Sequence, residues 1–285
     1  MKKKYYIILL ALCIICLFIA YPTYKYYSAP KQEKIYLFQS HSNNDTINIA
    51  FIGDSWAFMH REHPCKIADY LEHVIHKPVR IYSFGISGLT SKEIYESIYD
   101  NEDFRLFMQQ RKYDYCYISA GINDTYKKMS TIYYKTSIDY IIQLLLENHI
   151  HPIIQEIPDY DIQKAYDRQE NSRKLLRKLS SYINGCPLDC KVLYRNTLKE
   201  LIIEKNYKDS VSVLKYRVWN NNYSKDLQEL YRSDGMHLNE YGYTVLDRAI
   251  ATEIAKVIKK ITFPKHSLIT SWRQIEHSQE FSWNS

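Results

Sequence analysis

Ile47-Asn-Ile-Ala-Phe-Ile-Gly-Asp-Ser55 is the stretch on which the fold turns. Its apolar residues run almost without interruption instead of alternating with polar ones. An apolar run of that kind reads as a strand of a parallel sheet in an α/β domain. The strand runs straight into Gly53-Asp54-Ser55, which places a serine hydroxyl at a strand-to-helix turn.

Downstream, strand-like and helical patterns alternate. A helix from about Cys65 to His76 leads to a strand at Val79–Ser83, and Gly85 and Gly88 form a turn before a helix that begins near Ser91. Tyr113–Ala120 reads as the third strand, ending at Gly121-Ile-Asn123-Asp124. A helix over Thr131–Asn148 precedes a strand that runs from Pro152 to Ile157. The next helix, about Gln163 to Tyr182, carries Leu175, Leu176 and Leu179 on one stripe, expected to pack into the core. Lys191–Tyr194 and Ser210–Leu214 both resemble strands, and the second is taken as the fifth. A last helix spans Glu240 to about Lys260. The pattern predicts an α/β domain with a five-stranded, mainly parallel sheet.

Upstream, Lys2, Lys3 and Lys4 precede an uncharged, mainly apolar run from Tyr5 to Tyr24, long enough as a helix to cross roughly 30 Å of hydrocarbon. Phe18-Ile19-Ala20 fits a signal-peptidase site poorly, and the bulky Leu12 and Ile15 before Cys13 and Cys16 do not make a lipobox. An uncleaved signal anchor is therefore favoured over a cleaved, secreted form. The basic N-terminus is expected inside and the body outside, against a weaker opposing bias from Lys25, Lys31 and Lys34. The division predicted is an anchor over residues 1–27, a juxtamembrane linker over 28–46, one globular domain over 47–262 and a C-terminal extension over 263–285. That extension holds Trp272, Phe281 and Trp283, which suit a short hairpin or a flap.

The net charge of +6 is scattered among acids, without the dense basic stripe that binds a phosphate backbone, so nucleic acid is not an expected partner. The 28 tyrosines suit sugar-stacking platforms less well than a plain compositional bias. Cys186-Pro-Leu-Asp-Cys190 could close a small disulfide loop in an oxidising compartment, whereas Cys116 reads as core. Neither that pair nor His73-x-x-His76 has the partner ligands of a zinc site.

The chain has only 7 glycines, and all but Gly185 fall at a strand end or around Asp234-Gly-Met-His237. In open α/β sheets ligands bind outside the carboxyl ends of the strands, so this clustering marks a site. Each glycine alone signals no more than a tight turn. Their coincidence with Ser55, Asn123, Asp234 and His237 carries more weight. A serine hydroxyl needs a base to take its proton, and the base needs a carboxylate to orient it. His237 and Asp234, three residues apart, can fill those roles. The N–H groups of Ser55 and Gly88 and the amide of Asn123 are the candidate oxyanion donors. Asp54 and Asp124 read as supports for the two turns, accepting backbone hydrogen bonds. His60 and His63 are weaker candidates for the base, lacking an evident orienting carboxylate beyond Glu62 or Asp69.

Four blocks in this order resemble the SGNH, or GDSL-like, hydrolases: Phe51-Ile-Gly-Asp-Ser55-Trp, Ser83-Phe-Gly-Ile-Ser-Gly88-Leu-Thr, Gly121-Ile-Asn123-Asp124 and Asp234-Gly-Met-His237-Leu-Asn-Glu-Tyr-Gly242. The resemblance runs from about Ile47 to Lys260. It implies a three-layer α/β/α, flavodoxin-like domain, acyl-enzyme chemistry on esters, no metal or organic cofactor, and the serine, glycine, asparagine and histidine roles given above. No Gly-x-Ser-x-Gly elbow is present. Trp56 stands where the family commonly has leucine, and Phe84 where asparagine is common, departures that bear on substrate more than on chemistry. The expected activity is hydrolysis of acyl esters, with acetyl foremost, on cell-envelope or dietary glycans. The alternatives are transfer of the acyl group to a surface polysaccharide by the same triad, and a glycan-binding module without catalysis.

Overall fold

The computed structural model describes residues 20–21, 23–38, 45–61 and 66–262. Most of the run from Tyr5 to Tyr24, together with His63, Cys65 and the extension 263–285, lies outside them. Among the described residues no helix is long and apolar enough to cross a membrane.

Five parallel strands form one sheet in the order β2-β1-β3-β4-β5: β1 Ile47–Gly53, β2 Val79–Gly85, β3 Tyr115–Ser119, β4 His151–Gln155 and β5 Ser212–Leu214. The all-parallel sheet sharpens the mainly parallel one expected. Successive residues of β1 face opposite sides, and both sides are covered. Phe51 packs on His60 and Tyr117, with ring centroids 4.4 and 4.7 Å away. On the other face Phe84, the register partner of Ile52, stacks on Phe104 at 4.6 Å.

The first face carries helices α1 (Ser55–His60), α2 (Ile67–Ile75) and the last helix, whose residues Tyr243, Leu246, Ile250 and Ile254 are buried at helical spacing. The second carries α3 (Ser91–Asp100), α4 (Glu102–Gln109) and, beyond the short α5 (Ile122–Lys127), α6 (Thr131–Glu147). Helix α4 was not read in the sequence, although Asn101 caps it by accepting from Phe104 N at 2.9 Å and acids fill its first turn.

The region after β4 departs most from expectation. The single helix over Gln163–Tyr182 is two, α7 (Ile162–Asp167) and α8 (Asn171–Asn184), broken where Arg168 Nη2 donates to Ser233 O at 2.8 Å. Lys191–Tyr194, strand-like in composition, opens helix α9 (Lys191–Glu204), because Tyr194, Leu198, Leu201 and Ile202 fall on one buried helical face. A further short helix, α10 (Tyr223–Glu229), occupies part of a stretch read as loop, and the last helix, α11, spans Glu240–Thr262. The leucine stripe of α8 is not core: Leu175 is 69 % exposed, Leu176 56 % and Leu179 54 %.

Residues 28–38, expected as a linker, form a strap along α3 and α6. Glu33 N donates to Tyr95 Oη at 2.7 Å, Tyr36 Oη to Ile98 O at 3.0 Å, and Phe38 N to Asn148 Oδ1 at 2.6 Å. The strap ties the N-terminal segment to the folded body.

Candidate active site

Strand β1 delivers Ser55 as the first residue of α1, with Asp54 as its cap: Asp54 Oδ1 accepts from Trp56 N at 3.0 Å. Ser55 is 7 % exposed. Its Oγ lies 3.0 Å from His237 Nε2, and His237 Nδ1 lies 2.7 Å from Asp234 Oδ2. A carboxylate only accepts, so the proton on that side belongs to Nδ1, which leaves Nε2 to accept from the serine hydroxyl.

The loop that carries Asp234 and His237 is held from several directions. Asp234 Oδ1 accepts from Met236 N at 2.8 Å and from His237 N at 2.9 Å. Arg232 N donates to His237 O at 2.7 Å, and Asp161 N, just after β4, donates to Gly235 O at 2.8 Å. Gly242 N donates to Asn239 Oδ1 at 2.8 Å, opening α11 directly behind the loop. Burial pulls the Asp234 carboxyl upward, but the hydrogen bonds from His237 and Met236, with the nearby imidazole, outweigh it and hold it below the usual carboxylate value.

Asn123 sits at the start of α5, after Gly121. Its Nδ2 donates to Leu89 O at 3.0 Å and faces Asp54 Oδ2 at 3.4 Å. One amide thus bridges the residue after Gly88 and the residue before Ser55. Gly88 itself has φ +81°, and its carbonyl accepts from Lys127 Nζ at 2.8 Å. Asp124 accepts from Ser91 N at 2.8 Å and Ser91 Oγ at 2.5 Å, fixing α3 to the same turn. Both buried acids are pushed upward, Asp54 to about 7 and Asp124 to about 6. Desolvation is the main cause in each. For Asp54 the bond from Trp56 N opposes it and the neighbouring Asp124 adds to it. For Asp124 the bonds from Ser91 oppose it.

His60 has the carboxylate that the sequence did not reveal. Its Nε2 lies 2.6 Å from Asp247 Oδ1 on α11, and its Nδ1 lies 3.1 Å from Ser83 Oγ. Asp247 stands on the apolar face of α11, four residues from Tyr243, and a lone acid on a buried face is the signal that could have found it. Glu62 and His63 lie outside the described residues. Among the described residues no group of three or more His, Cys, Asp or Glu side chains could hold a metal. Cys186 and Cys190 are buried free thiols, with Lys128 Nζ 3.9 Å from Cys190 Sγ.

The arrangement can do nucleophilic chemistry: a hydroxyl 3.0 Å from an imidazole nitrogen, and the imidazole oriented by a carboxylate at 2.7 Å.

No family model matches the sequence. It is 26% identical over 186 residues to an N-acylneuraminate cytidylyltransferase of Escherichia coli, a match covering 64% of this chain; the chain spans 36% of that relative's length. Among solved structures, a lipase/acylhydrolase from Enterococcus faecalis is similar at TM-score 0.49 and 17% identity, covering 74% of this chain and 96% of that one. A GDSL-like lipase from Bacteroides thetaiotaomicron gives 0.48 and 18%, covering 73% and 88%. An acetylxylan esterase from Geobacillus stearothermophilus gives 0.47 and 19%, covering 73% and 94%. The structural neighbours are SGNH/GDSL-like lipases, acylhydrolases and esterases.

Proposed function

We propose that this chain is a serine esterase that removes acyl groups, acetyl foremost, from hydroxyls of cell-envelope or dietary glycans. The observation that carries the reading is the unbroken relay from Ser55 Oγ through His237 to Asp234, at 3.0 and 2.7 Å.

In the first half-reaction Ser55 Oγ attacks the ester carbonyl carbon as its proton passes to His237 Nε2. The carbonyl π electrons move onto oxygen, and Asp234 holds the imidazolium that results. The oxyanion is met by Ser55 N, by Gly88 N and by Asn123 Nδ2, whose side chain gives up its 3.4 Å bond to Asp54 Oδ2 as the ester carbonyl arrives. Collapse expels the sugar alkoxide, which takes the proton from Nε2 and leaves an acyl-Ser55 ester. Water then attacks that ester, gives its proton to Nε2, and the second collapse returns the proton to Ser55 and releases the acid.

We also place the domain outside a membrane, tethered by the uncharged run from Tyr5 to Tyr24 behind Lys2, Lys3 and Lys4. The full chain in detergent, assayed on p-nitrophenyl acetate and on acetylated glycans, tests the esterase reading. Release of acetate that disappears in Ser55→Ala is the expected result. No release, or release untouched by that substitution, overturns it.

A further inference from the structure

Helix α8 is turned inside out. Its face towards the body is polar: Lys174 lies over the Tyr166 ring at 5.9 Å, and Arg177 donates to Lys127 O at 3.3 Å. Ser180 Oγ meets Tyr27 Oη at 2.6 Å, and Asn184 Nδ2 donates to Lys128 O at 2.7 Å. Its outward face is apolar, with Leu175, Leu176 and Leu179 joined by Tyr182 at 88 % and Ile183 at 67 % exposure. Water is the wrong partner for five large apolar side chains on one stripe.

Charge and position identify what covers it. Residues 171–184 hold no acid, and Arg173 and Lys178 stand on the exposed side with the leucines, the composition of a helix that rests on an anionic lipid surface with its apolar face in the acyl boundary. The N-terminal segment meets the body at the same place. Besides the Tyr27–Ser180 contact, Lys92 Nζ donates to Lys25 O at 2.5 Å and Ser28 O at 3.0 Å. Lys127 Nζ stands 6.0 Å from the Tyr26 ring. Tyr24, where the apolar run ends, is three residues from Tyr27, about 5 Å of helix rise.

We propose that α8 is an interfacial membrane helix, seated on the anionic lipid surface beside the segment that anchors the chain. The inference rests on the anchoring of residues 5–24 proposed above. It also deepens the esterase reading. Lys127, which Arg177 engages, in turn donates to Gly88 O, so a seated α8 holds the Ser55 edge of the sheet beside lipid headgroups.

The test uses the full chain in phosphatidylcholine vesicles with and without phosphatidylglycerol, carrying the photo-crosslinker p-benzoylphenylalanine in place of Leu176. A second protein carries it in place of Leu106, an apolar residue 40 % exposed on α4. Flotation with the vesicles is measured first, and crosslinked products are then identified by mass. Expected are lipid adducts at position 176 several-fold above those at 106, increased by phosphatidylglycerol. A chain that does not float overturns the anchor and the seating together. A chain that floats, yet crosslinks position 176 to residues 263–285, to a second copy, or to lipid no better than position 106, overturns the seating alone.

Discussion

His60 Nε2 lies 2.6 Å from Asp247 Oδ1, so the molecule holds a second imidazole–carboxylate pair that joins the helix bearing Ser55 to the last helix. Both side chains are 1 % exposed, which separates this pair from the one on the open Asp234 loop. The other Asp247 oxygen accepts from Lys66 N at 2.7 Å, so one carboxylate ties three elements.

Asp247→Ala therefore leaves His60 Nε2 and the Lys66 N–H without their acceptor in a dry interior, at a cost of about 3 kcal/mol or more. Urea unfolding should show that loss, while kcat of the surviving folded fraction stays within a few-fold of the parent. A fall in kcat to background with unchanged stability would instead give the pair a part in the chemistry.

At the half-buried Asp234–His237 pair the opposite division is expected. Ser55→Ala and His237→Ala should reduce ester turnover to background with little change in the unfolding midpoint. Asp234→Asn should cost on the order of 10⁴-fold in kcat, since an amide can present a donor to Nδ1 and favour the wrong tautomer. Steady-state kinetics beside thermal unfolding separate the two kinds of loss.

Asp54 predicts a pH dependence of stability. Its pKa is raised from 3.8 to about 7 by burial, so across that window the folded protein keeps a proton that the unfolded chain releases. Stability from this group is therefore greatest below pH 4, declines as pH rises towards 7, and stays reduced above. The full swing is up to about 4 kcal/mol. Asp54→Asn retains an oxygen acceptor for Trp56 N and should remove that slope. Unfolding free energies of parent and variant, measured from pH 4 to 8, should converge at the acidic end and part at the alkaline end. Parallel curves would show that Asp54 stays ionised throughout.

These sites were legible to different degrees for physical reasons. Ser55 and Asn123 stand beside glycines at strand ends, and Asp234 and His237 beside a glycine just before the last helix, where backbone pattern and chemistry coincide in a short window. Asp247 pairs with His60 across 187 positions of chain, and no local pattern encodes such a contact. Lys191–Tyr194 misled because a few apolar residues fit either period, and only the longer series to Ile202 resolves the helix. The leucines of α8 misled more deeply. Periodicity identifies an apolar stripe but not what it faces, and here the helix presents its polar side to the protein.

Two glycines at the ends of neighbouring segments give a last test, because they differ in what surrounds them. Gly53 has φ +151°, and a Cβ there would stand 2.0 Å from Ser119 O, inside the β1–β3 pairing. Gly88 has φ +81° but meets nothing within 4 Å. Gly88→Ala therefore carries only the strain of a left-handed residue, about 1–2 kcal/mol, and the protein should still fold cooperatively. Gly53→Ala adds a backbone collision that no rotamer can relieve, so β1 must move away from β3 and take Asp54 and Ser55 with it. Loss of more than about 4 kcal/mol, or no soluble folded protein, is expected for Gly53→Ala. Circular dichroism melts of the two variants check the ranking. Equal destabilisation would mean that φ alone, and not the approach of Ser119, demands glycine at the turn before Ser55.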